Sequence, residues 1–344
     1  MSEVLVRREG RAGRITLARP QALNALSYAM VGRIEAALDA WRDDPEVALV
    51  LIDAEGARAF CAGGDIAEIY EAGRRGDFAF GRRFWAEEYR MNAKIARYPK
   101  PYVALMQGYV MGGGVGVSGH GSHRVAGETT RVAMPECAIG LVPDVGGTLL
   151  LAAAPGRLGE YLGLTGFRMD AGDALFAGFA DHFVPEADWP ALAARLIETG
   201  DPAEIAAFER PAPPAALADR RAEIDDAFAA PDLKTLMARL AAGDWGAETR
   251  ATLAKGSPIS MACTLALVRA ARAEPGIEAA LAREYRFTWR AQTEGDLLEG
   301  IRAAVIDKDR TPRWRDGIGE IGPERVAAML APLGAEELAL AGQA

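Results

Sequence analysis

Val47-Ala-Leu-Val-Leu-Ile-Asp53 is a nearly unbroken apolar run. Such a run suits a strand buried on both faces, as in a parallel sheet covered by helices. Before it, Gly13-Arg-Ile-Thr-Leu-Ala18 reads as a strand. Ser27 then stands where an N-cap belongs, ahead of Met30, Ile34, Ala37, Leu38 and Trp41 on one helical face. After it, a second amphipathic helix is predicted over 84–98, stopped by Pro99 and Pro101. Tyr102-Val-Ala-Leu-Met106 is the next strand, followed by short strands at His123-Arg-Val-Ala126, Arg131-Val-Ala-Met134 and Ala180-Asp-His-Phe-Val184. Strands that alternate with helices imply an α/β core. Beyond about residue 200 the chain turns rich in Ala, Leu, Glu and Arg, and Pro211, Pro213, Pro214, Pro231 and Pro258 divide it into helices. The expected organisation is an α/β core over 1–200 and a helical region over 201–344 packed on it.

Composition narrows the function. The 344 residues include 48 acidic and 39 basic side chains, a net charge of −9, which disfavours a nucleic-acid binder. Three cysteines form no disulfide framework, and three histidines without clustering with Cys argue against zinc. No apolar run approaches the ~18–20 residues that cross a bilayer. The start, MSEVLVRREG, lacks a signal peptide's apolar stretch, so the expected location is the cytoplasm, with no membrane partner.

Met111-Gly-Gly-Gly-Val-Gly-Val-Ser-Gly119 admits several readings. Gly114-Val-Gly116-Val-Ser-Gly119 fits G-x-G-x-x-G, with Glu136 22 residues beyond Gly114, but a dinucleotide fingerprint opens directly after the first strand of its unit. Gly116-Val-Ser118-Gly-His120 misses the nucleophile elbow at its last position. Glycines also let a helix pack close to a neighbour. At a helix start they bring a substrate to free N–H groups, which favour an anion.

The stretch from Met134 to Gly147 is almost wholly small or apolar, yet it carries Glu136 and Asp144. Either both acids sit on exposed turns, or they are desolvated, which raises a carboxyl pKa toward neutral and suits it to proton transfer. Cys137 and Cys61 read as packing residues, since a buried thiol is inert.

Asn24-Ala-Leu26, Phe60-Cys-Ala-Gly-Gly64-Asp65-Ile66, Met111-Gly-Gly-Gly114 and Pro135-Glu136…Ile139-Gly140 resemble the enoyl-CoA hydratase/isomerase, or crotonase, superfamily. Glu87-Glu88-Tyr89, Leu164-Thr-Gly-Phe-Arg168, Ser257-Pro258, Glu284-Tyr-Arg286 and the segment from Glu299 to Asp309 resemble its 3-hydroxyisobutyryl-CoA hydrolase branch. The resemblance runs from about residue 10 to about 315. It implies a spiral of ββα units with a helical C-terminal region, an acyl-CoA thioester ligand, and an oxyanion hole from the backbone N–H groups of Gly64 and Gly113. Hydratases use two glutamates; one position falls on Gly116, which has no side chain, and the other on Glu136. Asp144 stands where hydratases generally have glycine. The resemblance therefore implies thioester hydrolysis by Glu136 and Asp144 within valine breakdown, with Glu136 acting as nucleophile or activating a water. Glu88 resembles a third acid facing the acyl pocket, against the alternative of a solvated helix face. Arg19, Ala22 and Ala62 fall in segments that line the coenzyme, and Arg74-Arg75 and Arg82-Arg83 read as solvated pairs, against the alternative that they meet the coenzyme's phosphates. Coenzyme A would enter as part of the substrate, with no metal or redox cofactor. Superfamily members favour trimers and hexamers, so a homo-oligomer is expected.

Overall fold

The protein is described by a computed structural model over residues 2–240 and 243–340. It divides into two compact units, each assembled from three stretches of chain.

The first unit comprises Met1–Asp65, Arg90–Ala133 and Arg168–Ala218. Its strands are β1 (Val4–Glu9), β2 (Ala12–Leu17), β3 (Leu49–Ala54), β4 (Ala59–Cys61), β5 (Tyr102–Met106), β6 (Tyr109–Met111), β7 (His123–Ala126), β8 (Arg131–Ala133) and β9 (His182–Phe183). Six form a sheet in the order β1-β2-β3-β5-β7-β9, and β4-β6-β8 form a second. β1 and β2 are an antiparallel hairpin; every other pairing is parallel. Consecutive strands thus go first to the large sheet and then to the small one: β3 then β4, β5 then β6, β7 then β8. With a helix closing each pair, this is a spiral of ββα turns.

The run at 47–53 forms β3 from Leu49, with Val50, Leu51 and Ile52 fully buried, as a strand covered on both faces must be. On one face Leu49, Leu51, Val103, Leu105 and Val125 pack with Trp189, Leu192 and Leu196. The last three belong to helix Trp189–Thr199. The helix that Ser27 caps is α1 (Tyr28–Arg42), with the Ser27 side chain accepting from Met30 N–H. The strands β4 and β6, three residues each, are too short to show a period and are absent from the expected strands.

The second unit comprises Ile66–Tyr89, Met134–Phe167 and Asp219–Ala344. Two helices open it: α2 (Ile66–Arg74), which no pattern announced, and α3 (Phe78–Ala96), whose residues from Arg90 on belong to the first unit. α3 begins six residues before the predicted start because Asp77 accepts from Phe80 N–H at 3.2 Å. The 200/201 boundary lies inside the first unit's third stretch, so the chain does not divide there. The physical reason is in the second unit itself: helix Pro258–Ala273 packs on helices Gly147–Ala153 and Leu158–Thr165. These belong to the stretch assigned to the core by sequence. Beyond residue 201 the described residues hold helices and no strand. Among the described residues no single helix is long and apolar enough to cross a membrane; the pair Gly243–Leu253 and Pro258–Ala273 passes jointly but is bent by 111°.

Candidate active site

In the second unit, Pro135 leads into a 3-10 turn, Glu136–Ile139, closed by Gly140 at φ +76°. A Cβ on Gly140 would lie 2.5 Å from the Asp296 backbone, so glycine is needed both for the turn and for the approach. The turn buries Glu136, and Asp144 follows eight residues later, each 5 % exposed. The exposed-turn reading of these acids is thereby removed. Glu88 on α3 is 3 % exposed, which removes the solvated-face reading for it as well.

The hydrogen bonding of the acids is unequal. Tyr89 O–H donates to Asp144 Oδ2 at 2.7 Å. Glu136 Oε2 and Glu88 Oε1 are buried without a hydrogen-bond partner among the described residues. Leaving such an atom unpaired costs about 1–3 kcal/mol or more, so these oxygens remain open to a hydrogen bond from a ligand or a water. A fourth acid, Glu284, is fully buried on helix Ile277–Ala291 and accepts from Gly146 N–H at 2.8 Å and Thr148 N–H at 3.0 Å.

All four carboxyls are held above the ordinary carboxylate range. Burial drives Asp144 up to about 7, against the Tyr89 hydrogen bond that favours its charge. Burial likewise raises Glu284 to about 7, against the hydrogen bonds from Thr148 and Gly146. Glu136 stands well above its usual value through burial first and Asp144's charge second. Glu88 is raised by the same two causes. Near neutral pH the cluster therefore carries fewer charges than it has carboxyls, and it can both hold and release protons. Among the described residues no group of His, Cys, Asp and Glu is arranged to hold a metal ion.

Cys137 contacts the Gly163 carbonyl and Thr264 Oγ1, both at 3.3 Å, and burial pushes its thiol up to about 12, so it is a packing residue. Arg82 lies over the Trp289 ring at 3.4 Å rather than in solvent, whereas Arg74 and Arg75 are exposed.

In the first unit, Gly64 forms a parallel bridge with Leu26. Leu26 N–H donates to the Gly63 carbonyl and Asp65 N–H donates to the Leu26 carbonyl. In a parallel ladder that pattern turns the N–H of the residue between them away from the partner strand. Gly113 opens the helix Gly113–Ser118, where N–H groups have no acceptor within the helix. The two segments run side by side, since β4 pairs with β6 and a Cβ on Gly114 would meet the Cys61 carbonyl at 2.2 Å. That contact gives Gly114 the packing role and takes it from the dinucleotide reading. Ser118 Oγ donates to the Gly114 carbonyl at 2.7 Å and is fully buried, which answers the nucleophile-elbow reading.

Ala62 donates its N–H to the Leu23 carbonyl, and Ala22 ends a 3-10 turn beside it. Asn24, at φ +55°, ties this corner together by donating to the Glu55 and Ala59 carbonyls and accepting from Arg19 N–H. Arg19 pairs with Glu3 at 3.1 Å and Asp65 at 2.8 Å, so its charge is engaged within the fold.

Residues 12–330 match the enoyl-CoA hydratase/isomerase family. The chain belongs to that family. Within it, the chain is 39 % identical over 352 residues to a protein of Gallus gallus named 3-hydroxyisobutyryl-CoA hydrolase, mitochondrial, covering 98 % of this chain and 91 % of that one. A protein of the same name from Xenopus tropicalis is 52 % identical over 195 residues, which span 57 % of this chain and only half of its own length. Among solved structures, one titled an enoyl-CoA hydratase from Rhodobacter sphaeroides is 57 % identical with a TM-score of 0.94, covering 98 % of this chain and all of its own. One titled a carnitinyl-CoA dehydratase from Mycobacterium thermoresistibile is 41 % identical with a TM-score of 0.95 and full coverage of both chains. These likenesses carry the spiral ββα architecture. The vertebrate names say mitochondrial, so the expectation of a cytoplasmic chain finds no support in them.

Two residues of the family member's site escaped the sequence reading. Tyr89 and Glu284 both fall in segments that carry the resemblance without an assigned role, and the Tyr89 hydroxyl holds Asp144. Glu284 lies on the stripe Ile277, Ala280, Leu281, Glu284, Thr288 and Ala291, all buried. An acid on an apolar helical stripe was a legible signal of a buried carboxylate with work to do.

Proposed function

We propose that this chain is an acyl-CoA thioester hydrolase acting on a short branched 3-hydroxyacyl group, 3-hydroxyisobutyryl-CoA, in valine breakdown. The observation that carries this reading is the burial of Glu136 and Asp144 together, with Tyr89 on Asp144. Gly116, where a hydratase needs a second glutamate, supplies no side chain. That outweighs the hydratase wording of the 57 %-identical structure.

In the proposed reaction Glu136 either attacks the thioester carbonyl directly, expelling the thiolate and leaving an anhydride that water then opens to release the acid, or takes a proton from a water that adds to the carbonyl. The N–H groups of Gly64 and Gly113 stabilise the negative charge that develops on the carbonyl oxygen, typically by about 3–4 kcal/mol for each donor. Asp144 holds the proton that the departing thiolate takes up, or orients the substrate hydroxyl. Glu88 faces the acyl group, and Ala22 and Ala62 line the coenzyme. Water is consumed, and the products are the 3-hydroxy acid and free coenzyme A, with no metal or redox group required. A homo-oligomer belongs to the same proposal, with sedimentation velocity as its measure.

The test is thiol release from a panel of acyl-CoAs, with enoyl hydration followed in parallel by absorbance. The expected result is hydrolysis of 3-hydroxyisobutyryl-CoA and little hydration of crotonyl-CoA. Asp144→Gly lowers hydrolysis by at least ~10²-fold, the low end for losing a positioned acid–base group. Robust crotonyl-CoA hydration, or undiminished hydrolysis by Asp144→Gly, defeats the reading.

A further inference from the structure

We propose that Glu284 is a positioning residue: it grips the turn that carries Asp144 and so sets the direction from which that acid acts. The inference rests on the hydrolase reading given above, and it concerns a residue that plays no part in the reaction as proposed there.

Glu284 gathers three donors on one carboxyl group. Oε2 accepts from Gly146 N–H at 2.8 Å. Oε1 accepts from Thr148 N–H at 3.0 Å and from the Thr148 hydroxyl. Among the described residues it has no cationic partner, so a fully buried acid is sustained by dipoles alone. A charge kept in such a place without a counter-ion is costly, and a helix cap could be had from a neutral side chain.

The turn it grips needs an outside hold. Val145 has φ +55° and Gly146 has φ +78°, two successive left-handed residues. For a β-branched residue this conformation is strained and persists only where the surroundings impose it. Gly147 N–H closes the turn on the Asp144 carbonyl at 2.6 Å. Glu284 therefore fixes the two amides on the far side of the strained residue from Asp144.

The same helix braces Asp144 from its side chain. Tyr89 O–H holds Asp144 Oδ2, and the Tyr89 ring meets the edge of Tyr285 at 6.2 Å between centroids and 79° between planes. Tyr285 is the residue after Glu284. Backbone and side chain of Asp144 are thus both referred to one stretch of one helix. Asp144's charge in turn acts on Glu284 and helps raise its pKa.

The test uses Glu284→Gln, which keeps the volume but turns one acceptor oxygen into a donor facing an N–H. We expect kcat for 3-hydroxyisobutyryl-CoA to fall about tenfold or more while KM changes less than about threefold, the pattern of a group that acts only in the transition state. In an Asp144→Gly background the same substitution should change kcat less than about twofold, because a residue that works through Asp144 has nothing left to position. Multiplicative losses in the double variant, or full activity of Glu284→Gln, overturn the proposal. Hydrogen exchange, read by mass spectrometry, gives a second measure that needs no turnover: residues 143–149 should exchange faster in the variant and the rest of the chain should not. If the wild type releases no thiol from any 3-hydroxyacyl-CoA, the hydrolase reading falls while exchange still judges the grip on the turn. Unchanged exchange at 143–149 rejects the grip whatever the activity. If Glu284→Gln does not fold, Thr148→Val, which removes only the hydroxyl arm, carries the same comparison with a smaller effect.

Discussion

In the proposed reaction the first unit would contribute backbone groups and the second side chains. In the first, the groups of interest are N–H donors at Gly64 and Gly113, set among parallel strands and a helix whose Gly114 would strike the Cys61 carbonyl if it bore a Cβ. In the second they are four buried carboxyls, at positions 88, 136, 144 and 284, of which Asp144 is held by a hydroxyl and Glu284 by amides and a hydroxyl. A backbone donor is present whatever the side chain, but its placement depends on the absence of side chains around it. A carboxyl can be replaced by a shape-matched neutral group with little disturbance, and its chemistry is then gone. The two units should therefore fail in opposite ways: the first by unfolding, the second by losing activity while staying folded.

The largest effect tests the second half of that contrast. Glu136→Gln should lower thiol release by about 10⁴-fold, the scale at which an essential member of a catalytic group is lost. Its melting temperature should stay within a few degrees of wild type, since the amide fills the same space. Turnover within tenfold of wild type removes Glu136 from the mechanism. If Glu136 is the nucleophile and water opens the resulting anhydride at the Glu136 carbonyl, a single turnover in ¹⁸O-water delivers the label to the Glu136 carboxyl group; label found there excludes the route through an activated water.

The same contrast explains what the sequence made legible. The large sheet was readable because Leu49–Ala54 and Tyr102–Met106 are long enough to show their burial pattern. In the small sheet only Arg131–Ala133 was read; Ala59–Cys61 and Tyr109–Met111 were not, being three residues each with no alternation to show. Glu136 and Asp144 stood out as acids in an apolar stretch. Glu284 followed the same rule, but its apolar surroundings are spaced by helical turns rather than adjacent in the chain. The division of the chain at 200/201 failed for a related reason: composition changes there, while the partners of the C-terminal helices lie at 66–89 and 134–167.

Gly114→Ala tests the first half. The added methyl would sit 2.2 Å from a backbone carbonyl oxygen, which cannot swing aside as a side-chain tip would. Overpacking of this kind costs about 1–3 kcal/mol and occasionally more. We expect a melting temperature lower by about 1–4 °C, and by more if the overpacking exceeds that range, with activity lost in proportion to unfolded protein. A variant that melts like wild type would show that the strand and helix backbones can part there, and the backbone half of the comparison would fail.

The smallest effect concerns the sign of the acids' contribution to stability. Asp144 is raised from an ordinary 3.8 to about 7 by burial. A carboxyl raised in the folded state favours folding most at pH below 3.8, and that contribution is lost as pH rises through 7. Above pH 7 the wild type therefore bears the cost of the charge, whereas Asp144→Asn bears none and its Oδ1 can still accept from Tyr89. The groups acting on this position are Tyr89, Glu88, Glu136 and Glu284, and the three remaining acids keep part of the strain. The gain is accordingly modest: a melting temperature for Asp144→Asn a few degrees above wild type at pH 8, with the gap narrowing at pH 5. A variant less stable than wild type at pH 8, or a gap that ignores pH, would mean that Asp144 holds the fold together rather than straining it. The second unit would then resemble the first in depending on its polar groups for structure.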